Sequence, residues 1–233
     1  MPEGALYPIM LRLTGKRCVV IGGGKVAERK TAALLEAGAD RVEVIAEQVT
    51  ETLAELGQSG MISIVQRIYD TNDIRQASLV IAATNDSALN ARIVREADEC
   101  GIWVNSASDG DEGTFVTPAV VRRGDLVLGI TTSGASPSFA SKLKAELEQQ
   151  YGGEYAFRLQ ALRLLRERLL DPNYSMNLDT EPTSSRQRLL RSAASDANGW
   201  QELAHMLENA KHTEPDLTIA IDRWIDRLSK SDR

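Results

Sequence analysis

Hydrophobic and polar positions change pattern twice along the chain, and the changes divide it into three stretches. Between residues 17 and 105, short and mostly apolar runs alternate with segments of helical period. The runs are Cys18-Val19-Val20-Ile21, Val42-Glu43-Val44-Ile45, Ile62-Ser63-Ile64-Val65, Leu79-Val80-Ile81-Ala82-Ala83 and Ile102-Trp103-Val104-Asn105; the helical segments are 25–37, 50–56 and 88–99. Runs this short and apolar read as strands buried on both faces, and strands separated by helices predict a parallel sheet covered on both sides. From Thr114 two longer strand-like runs, 114–121 and 126–132, flank Arg122-Arg123-Gly124-Asp125 as the arms of a hairpin, and a helix follows near Ser138. After Tyr151 only amphipathic helical periods remain, at 154–170, 184–194, 199–209 and 217–228, broken at Asp171-Pro172, Glu181-Pro182 and Glu214-Pro215. The expected architecture is α/β: a Rossmann-type parallel sheet over 1–113, a small segment over 114–150 and a C-terminal helical domain over 151–233.

The first strand-to-helix junction is the most specific. Arg17-Cys18-Val19-Val20-Ile21 runs straight into Gly22-Gly23-Gly24 and then a helical pattern ending at Gly38, a C-cap residue, before the second strand. Gly22-x-Gly24-x-x-Ala27 has dinucleotide-fingerprint spacing: Gly22 for the turn, Gly24 for close approach to a pyrophosphate, and small Ala27 for helix on strand. With Gly23, Lys25 and Val26, these residues would offer helix-start N–H groups to an anion. Glu47, just past the second strand and beside Gln48, is either an acceptor for a ribose hydroxyl, favouring NAD over NADP, or a solvated loop carboxylate. Thr84 and Asn85, ending the fourth run, are the remaining cofactor candidates, with Asp86 or Ser87 capping the next helix.

Bulk properties narrow the functional classes. A chain of 233 residues with 42% hydrophobic and 26% charged content is that of a soluble globular protein able to bury one core and a smaller domain. A net charge of -6 leaves no basic surplus for nucleic-acid binding as a main function. No apolar run approaches a membrane span, and Met1-Pro2-Glu3-Gly4 lacks the basic start of a signal peptide, so a cytoplasmic location is expected. Cys18 and Cys100 are too few for a disulfide framework, and His205 and His212 lack a partner at metal-ligand spacing; no metal site is expected.

Two polar segments carry the remaining chemistry. Asn105-Ser106-Ala107-Ser108-Asp109-Gly110-Asp111-Glu112-Gly113 follows a sheet strand, where open α/β sheets place ligands, and its carboxylates suit a general base or a metal contact, with an acidic surface turn as the alternative. Thr131-Thr132-Ser133-Gly134-Ala135-Ser136 offers hydroxyls and N–H groups before a helix; Ser136 with Pro137 also has the form of a simple cap. Asn105, Thr132, Ser133, Gly134 and Ser136 are therefore the substrate-binding candidates. Arg122, Arg123, Lys142 and Lys144 are candidate partners for substrate carboxylates or solvated surface charges.

Tyr7-Pro8 with Leu11, Val20-Ile21-Gly22-Gly23-Gly24-Lys25-Val26-Ala27-Glu28-Arg29-Lys30, Ala82-Ala83-Thr84-Asn85-Asp86, Val104-Asn105, Phe115 with Pro118, and Thr132-Ser133-Gly134-Ala135-Ser136-Pro137 occur in the order found in the precorrin-2 dehydrogenase and sirohydrochlorin ferrochelatase family. The chain resembles that family through about residue 150, and its helical tail resembles it in kind. The resemblance implies NAD-dependent oxidation of precorrin-2 to sirohydrochlorin in siroheme biosynthesis, by a homodimer whose 114–150 segment exchanges contacts between subunits. Members with both activities carry a catalytic aspartate three residues after the asparagine that ends the fifth strand. Here that position is Ser108, with Asp109 next to it, so Asp109 and Ser108 are the catalytic candidates and dehydrogenation without metal insertion is expected. The alternatives are a bifunctional enzyme that also inserts iron or cobalt, and a non-catalytic NAD-sensing module.

Overall fold

The computed structural model describes residues 5–107, 112–171, 174, 182–208 and 214–231. Within residues 1–118 the elements are β1 (Arg17–Ile21), α1 (Lys25–Glu36), β2 (Arg41–Ile45), α2 (Glu51–Gln58), β3 (Ser63–Val65), a 3-10 turn (Thr71–Ile74), β4 (Leu79–Ala82), α3 (Ser87–Glu99) and β5 (Trp103–Ser106). The five strands form one sheet in the order β3-β2-β1-β4-β5, every neighbouring pair parallel. This is the expected Rossmann-type sheet.

Alternation along the strands explains why both faces are covered. In β1, Cys18 and Val20 enter one core with Leu34 of α1 and Leu53 of α2, while Val19 and Ile21 enter the other with Ile93 and Ala97 of α3. A strand apolar at both phases of its period has no face to give to water, so helices are needed on each side. Helix ends follow local chemistry. Thr50 caps α2 by accepting from the Leu53 N–H, Asp86 caps α3 by accepting from the Leu89 N–H, and Gly38, at φ 82°, turns the chain out of α1.

The chain divides into a first unit, 1–118 with 133–135, and a second, 119–132 with 136–233. The second unit holds an antiparallel hairpin, β6 (Ala119–Arg123) and β7 (Leu126–Ile130), then α4 (Pro137–Gln150), α5 (Glu154–Leu170), α6 (Pro182–Ser195), α7 (Ala197–Glu208) and α8 (Glu214–Ser231). Leu165, Leu169, Leu189, Leu203, Trp224 and Ile225 form its core, and the Trp224 Nε1–H donates to Asp196 at 2.7 Å. Pro182 and Pro215 stand in the first turns of α6 and α8, where a missing N–H removes no helical bond.

The first hairpin arm is shorter than the strand-like run from Thr114 suggests. The Thr114 N–H donates to the Val104 carbonyl at 2.8 Å, and the Thr114 hydroxyl accepts from the Val104 N–H at 2.8 Å. Residues 113–115 thus return along β5, Gly113 bridging Asn105, and the hairpin begins only after Pro118.

Central packing predicts the effect of truncation. Ile81 of β4 is 2% exposed, so Ile81→Ala should cost about 2–5 kcal/mol of stability, read as a lowered midpoint in urea unfolding.

Candidate functional site

Three strand ends converge on the glycine turn. The Gly22 N–H donates to the Ile45 carbonyl at 2.9 Å, the Thr50 N–H donates to the Gly23 carbonyl at 2.9 Å, and the Ala83 N–H donates to the Ile21 carbonyl at 2.8 Å. The close approach leaves no room for side chains. At Gly22, with φ 123°, a Cβ would stand 2.2 Å from the Ala83 oxygen; at Gly23 it would stand 1.9 Å from the Gln48 oxygen. Gly24 differs, because a Cβ there would meet no protein atom within 4 Å.

Gly24 is also the N-cap of α1, and no side chain caps that helix. The first N–H groups of α1 therefore lack the intramolecular partner that Thr50 and Asp86 provide for α2 and α3. Unpartnered N–H groups, the positive end of the helix dipole and a backbone stripped of Cβ atoms together suit a phosphate-bearing ligand.

The turn opens into a crevice of about 690 Å³ at the carboxyl ends of β1, β2 and β4. Of the cofactor candidates, Gly22, Gly23, Gly24, Glu47, Gln48, Thr84 and Asn85 line it; Lys25 and Val26 do not. The Lys25 side chain is 79% exposed and pairs with Glu28 at 3.0 Å. Glu47 is exposed, and among the described residues its carboxylate makes no hydrogen bond or ion pair. An uncommitted carboxylate two residues past the end of β2 suits two ribose hydroxyls and repels a 2′-phosphate.

Several lining residues were not legible in the sequence. Arg67, Ile68 and Tyr69 follow β3 and line the crevice. Arg67 donates to Asp73 at 2.8 and 2.5 Å and to the Ile68 carbonyl at 3.0 Å, which fixes the loop. The Arg67 guanidinium holds the Asp73 carboxyl below its usual range. The Tyr69 hydroxyl donates to Glu96 at 2.7 Å, and burial is the largest cause raising its pKa. On the β4 side, the Asn90 carboxamide, fully buried, accepts from the Thr84 hydroxyl at 2.8 Å and the Thr84 N–H at 3.1 Å, and donates to the Thr84 carbonyl at 3.0 Å. The sequence signal for Asn90 is an amide sharing a helix face with Ile93 and Ala97.

Asn105, at the end of β5, is 3% exposed. Its Oδ1 accepts from Lys30 Nζ at 2.9 Å, and its Nδ2 donates to the Phe115 carbonyl at 3.0 Å. Ser108 and Asp109 lie outside the described residues. In the 132–136 loop, Ser133 and Gly134 are left-handed at φ 50° and 83°. Ser136 caps α4 by accepting from the Phe139 N–H at 3.2 Å, and its own N–H donates to the Thr132 hydroxyl at 3.1 Å.

The fold is a Rossmann-type unit whose crevice suits a dinucleotide, and residues 9–119 match the family described as putative NAD(P)-binding. Beyond that domain, the chain is similar to the siroheme synthase of Nitrosococcus oceani, 39% identical over 160 residues, and to that of Methylococcus capsulatus, 35% identical over 162 residues. These matches take in 66% and 70% of this chain but 34% of each relative; the chain spans about a third of the length of the curated relatives it matches. A solved structure titled SirC, precorrin-2 dehydrogenase, is similar over 97% of this chain and 100% of its own, at 25% identity and a TM-score of 0.71.

The two kinds of glycine separate folding from binding. Gly24→Ala should keep stability within about 1 kcal/mol of wild type, because its Cβ enters open space, while weakening NADH binding at least about tenfold. Gly23→Ala, driven onto the Gln48 carbonyl, should cost about 1–3 kcal/mol. Thermal melts and NADH titration of both variants check the contrast.

Proposed function

We propose that the protein is an NAD-dependent precorrin-2 dehydrogenase acting in siroheme biosynthesis. The observation that carries this reading is a crevice fitted to a dinucleotide on a chain similar, over nearly its whole length, to a precorrin-2 dehydrogenase structure. The overall change is precorrin-2 plus NAD⁺ to sirohydrochlorin, NADH and a proton.

The residues divide the work as follows. Backbone N–H groups at Gly24 and the start of α1 hold the pyrophosphate, Glu47 selects the ribose that lacks a phosphate, and Thr84, clamped by Asn90, shapes the wall beyond β4 together with Asn85. Bound nicotinamide supplies the two-electron acceptor. The protein's contribution is orientation of the macrocycle against it and exclusion of alternatives. Asp109, with Ser108 beside it, is assigned to proton removal; Asn105, Thr132, Ser133, Gly134 and Ser136 to the substrate side. Ser108 in place of the family's aspartate leaves metal insertion weak.

Residues 114–150 are assigned to a homodimer contact. An isolated two-stranded hairpin is marginal in water, and among the described residues β6 and β7 pair only with each other. Among the described residues no helix is long and apolar enough to cross a membrane, and a cytoplasmic location fits an enzyme that draws on the NAD pool.

Anaerobic incubation with precorrin-2 and NAD should yield NADH together with sirohydrochlorin, and NADP should be at least about tenfold less effective. Absence of NADH formation would sink the reading. Glu47→Ser should narrow the preference by weakening NAD, and a second incubation with sirohydrochlorin and ferrous or cobaltous ion should show little insertion. Light scattering should give twice the mass of one chain; a monomer at assay concentration would remove the dimer assignment.

A further inference from the structure

Among the described residues, Lys30 is a cation held without a counter-charge. It lies in the second turn of α1, half-buried, and donates to Asn105 Oδ1 at 2.9 Å and Thr117 Oγ1 at 2.6 Å. Both partners are neutral, and among the described residues no carboxylate pairs with it. Burial, followed by the nearby Arg29 charge, lowers its pKa. Taking an ammonium out of water without an opposite charge is costly, and an apolar or neutral residue could fill the same space without that cost.

The surroundings are built to keep Lys30 in place. The Asn105 carboxamide accepts from Lys30 on one side and donates to the Phe115 carbonyl on the other. Thr114 ties the 113–115 stretch to Val104 of β5. Lys30 therefore stands at the carboxyl end of β5, on the opposite side of β1 and β4 from Glu47. An ammonium has three donors; among the described residues two are occupied, which leaves the third for a ligand.

On the reading that the substrate is a polycarboxylate tetrapyrrole, we propose that Lys30 binds a substrate carboxylate, and that Asn105 is a positioning residue acting through Lys30. The buried amide would have little surface to offer a ligand, whereas the ammonium it orients provides a charge-assisted hydrogen bond. A carboxylate arriving there supplies the missing counter-charge.

Lys30→Gln, Lys30→Met and Lys30→Arg separate charge from shape, since glutamine can still donate to Asn105 and Thr117. Wild type and variants are titrated with sirohydrochlorin and, separately, with NADH. Lys30→Gln and Lys30→Met should weaken sirohydrochlorin binding by roughly 10- to 100-fold, the scale of one hydrogen bond to a charged group. Lys30→Arg should restore most of it, and all three should bind NADH like wild type. Sirohydrochlorin affinity in Lys30→Gln equal to wild type would overturn the assignment while leaving the dehydrogenase reading intact. A wild-type protein that binds NADH but not sirohydrochlorin would remove both.

Discussion

The structure depends on how closely three backbones meet after β1. Gly22 lies against the Ala83 carbonyl and Gly23 against the Gln48 carbonyl, at separations that admit no Cβ. This contact sets the carboxyl ends of β1, β2 and β4 level with one another, and it starts α1 at a residue without a capping side chain. Packing and ligand chemistry thus have a common origin. The glycines that let the strands converge also leave the helix end unpartnered, and an unpartnered helix end is an anion site.

The same constraint explains the contrast among the helices of this unit. Thr50 and Asp86 satisfy the first N–H groups of α2 and α3 from within. Had α1 begun with serine or aspartate, its own cap would compete with a bound phosphate. The walls around the turn are stiffened instead by side chains set further back. Asn90 holds Thr84 through three hydrogen bonds, and the Arg67–Asp73 pair holds the loop after β3. Rigidity is placed behind the crevice, so the surface facing the ligand stays small.

Local signals made much of this legible from sequence. The βαβ unit, the stop at Gly38, a cap at Asp86 or Ser87 (Asp86 in the structure) and the capping serine at 136 each arise within a few residues, where periodicity and turn chemistry decide the outcome. Arg67, Tyr69 and Lys30 were not legible as site or wall residues, because their meaning comes from partners far along the chain. Lys30 meets Asn105 across 75 residues, and Tyr69 meets Glu96 across 27. The run from Thr114 was misjudged for a related reason. Its β-prone residues suit a hairpin arm, but Thr114 finds open hydrogen-bonding groups on Val104 first, and Pro118, with no N–H to donate, divides that return from β6.

Charge is distributed unevenly along the strand ends, and the asymmetry gives the crevice a direction. Beyond β2 stands the uncommitted carboxylate of Glu47, which welcomes hydroxyls and disfavours phosphate. By the end of β5 stands the ammonium of Lys30, which welcomes carboxylate. Between them α1 contributes neutral N–H donors with the positive end of its dipole. On the proposed reading, a ligand pair lying across this row has one favoured orientation: ribose at β2, pyrophosphate at the glycines, and the acidic substrate towards β5. Because α1 carries both the N–H donors at its start and Lys30 five residues further on, in the proposed enzyme one rigid helix would fix the cofactor and the substrate relative to each other. Two-electron transfer between bound molecules requires that fixed relation, and the proposed arrangement would set it by the length of little more than one helical turn.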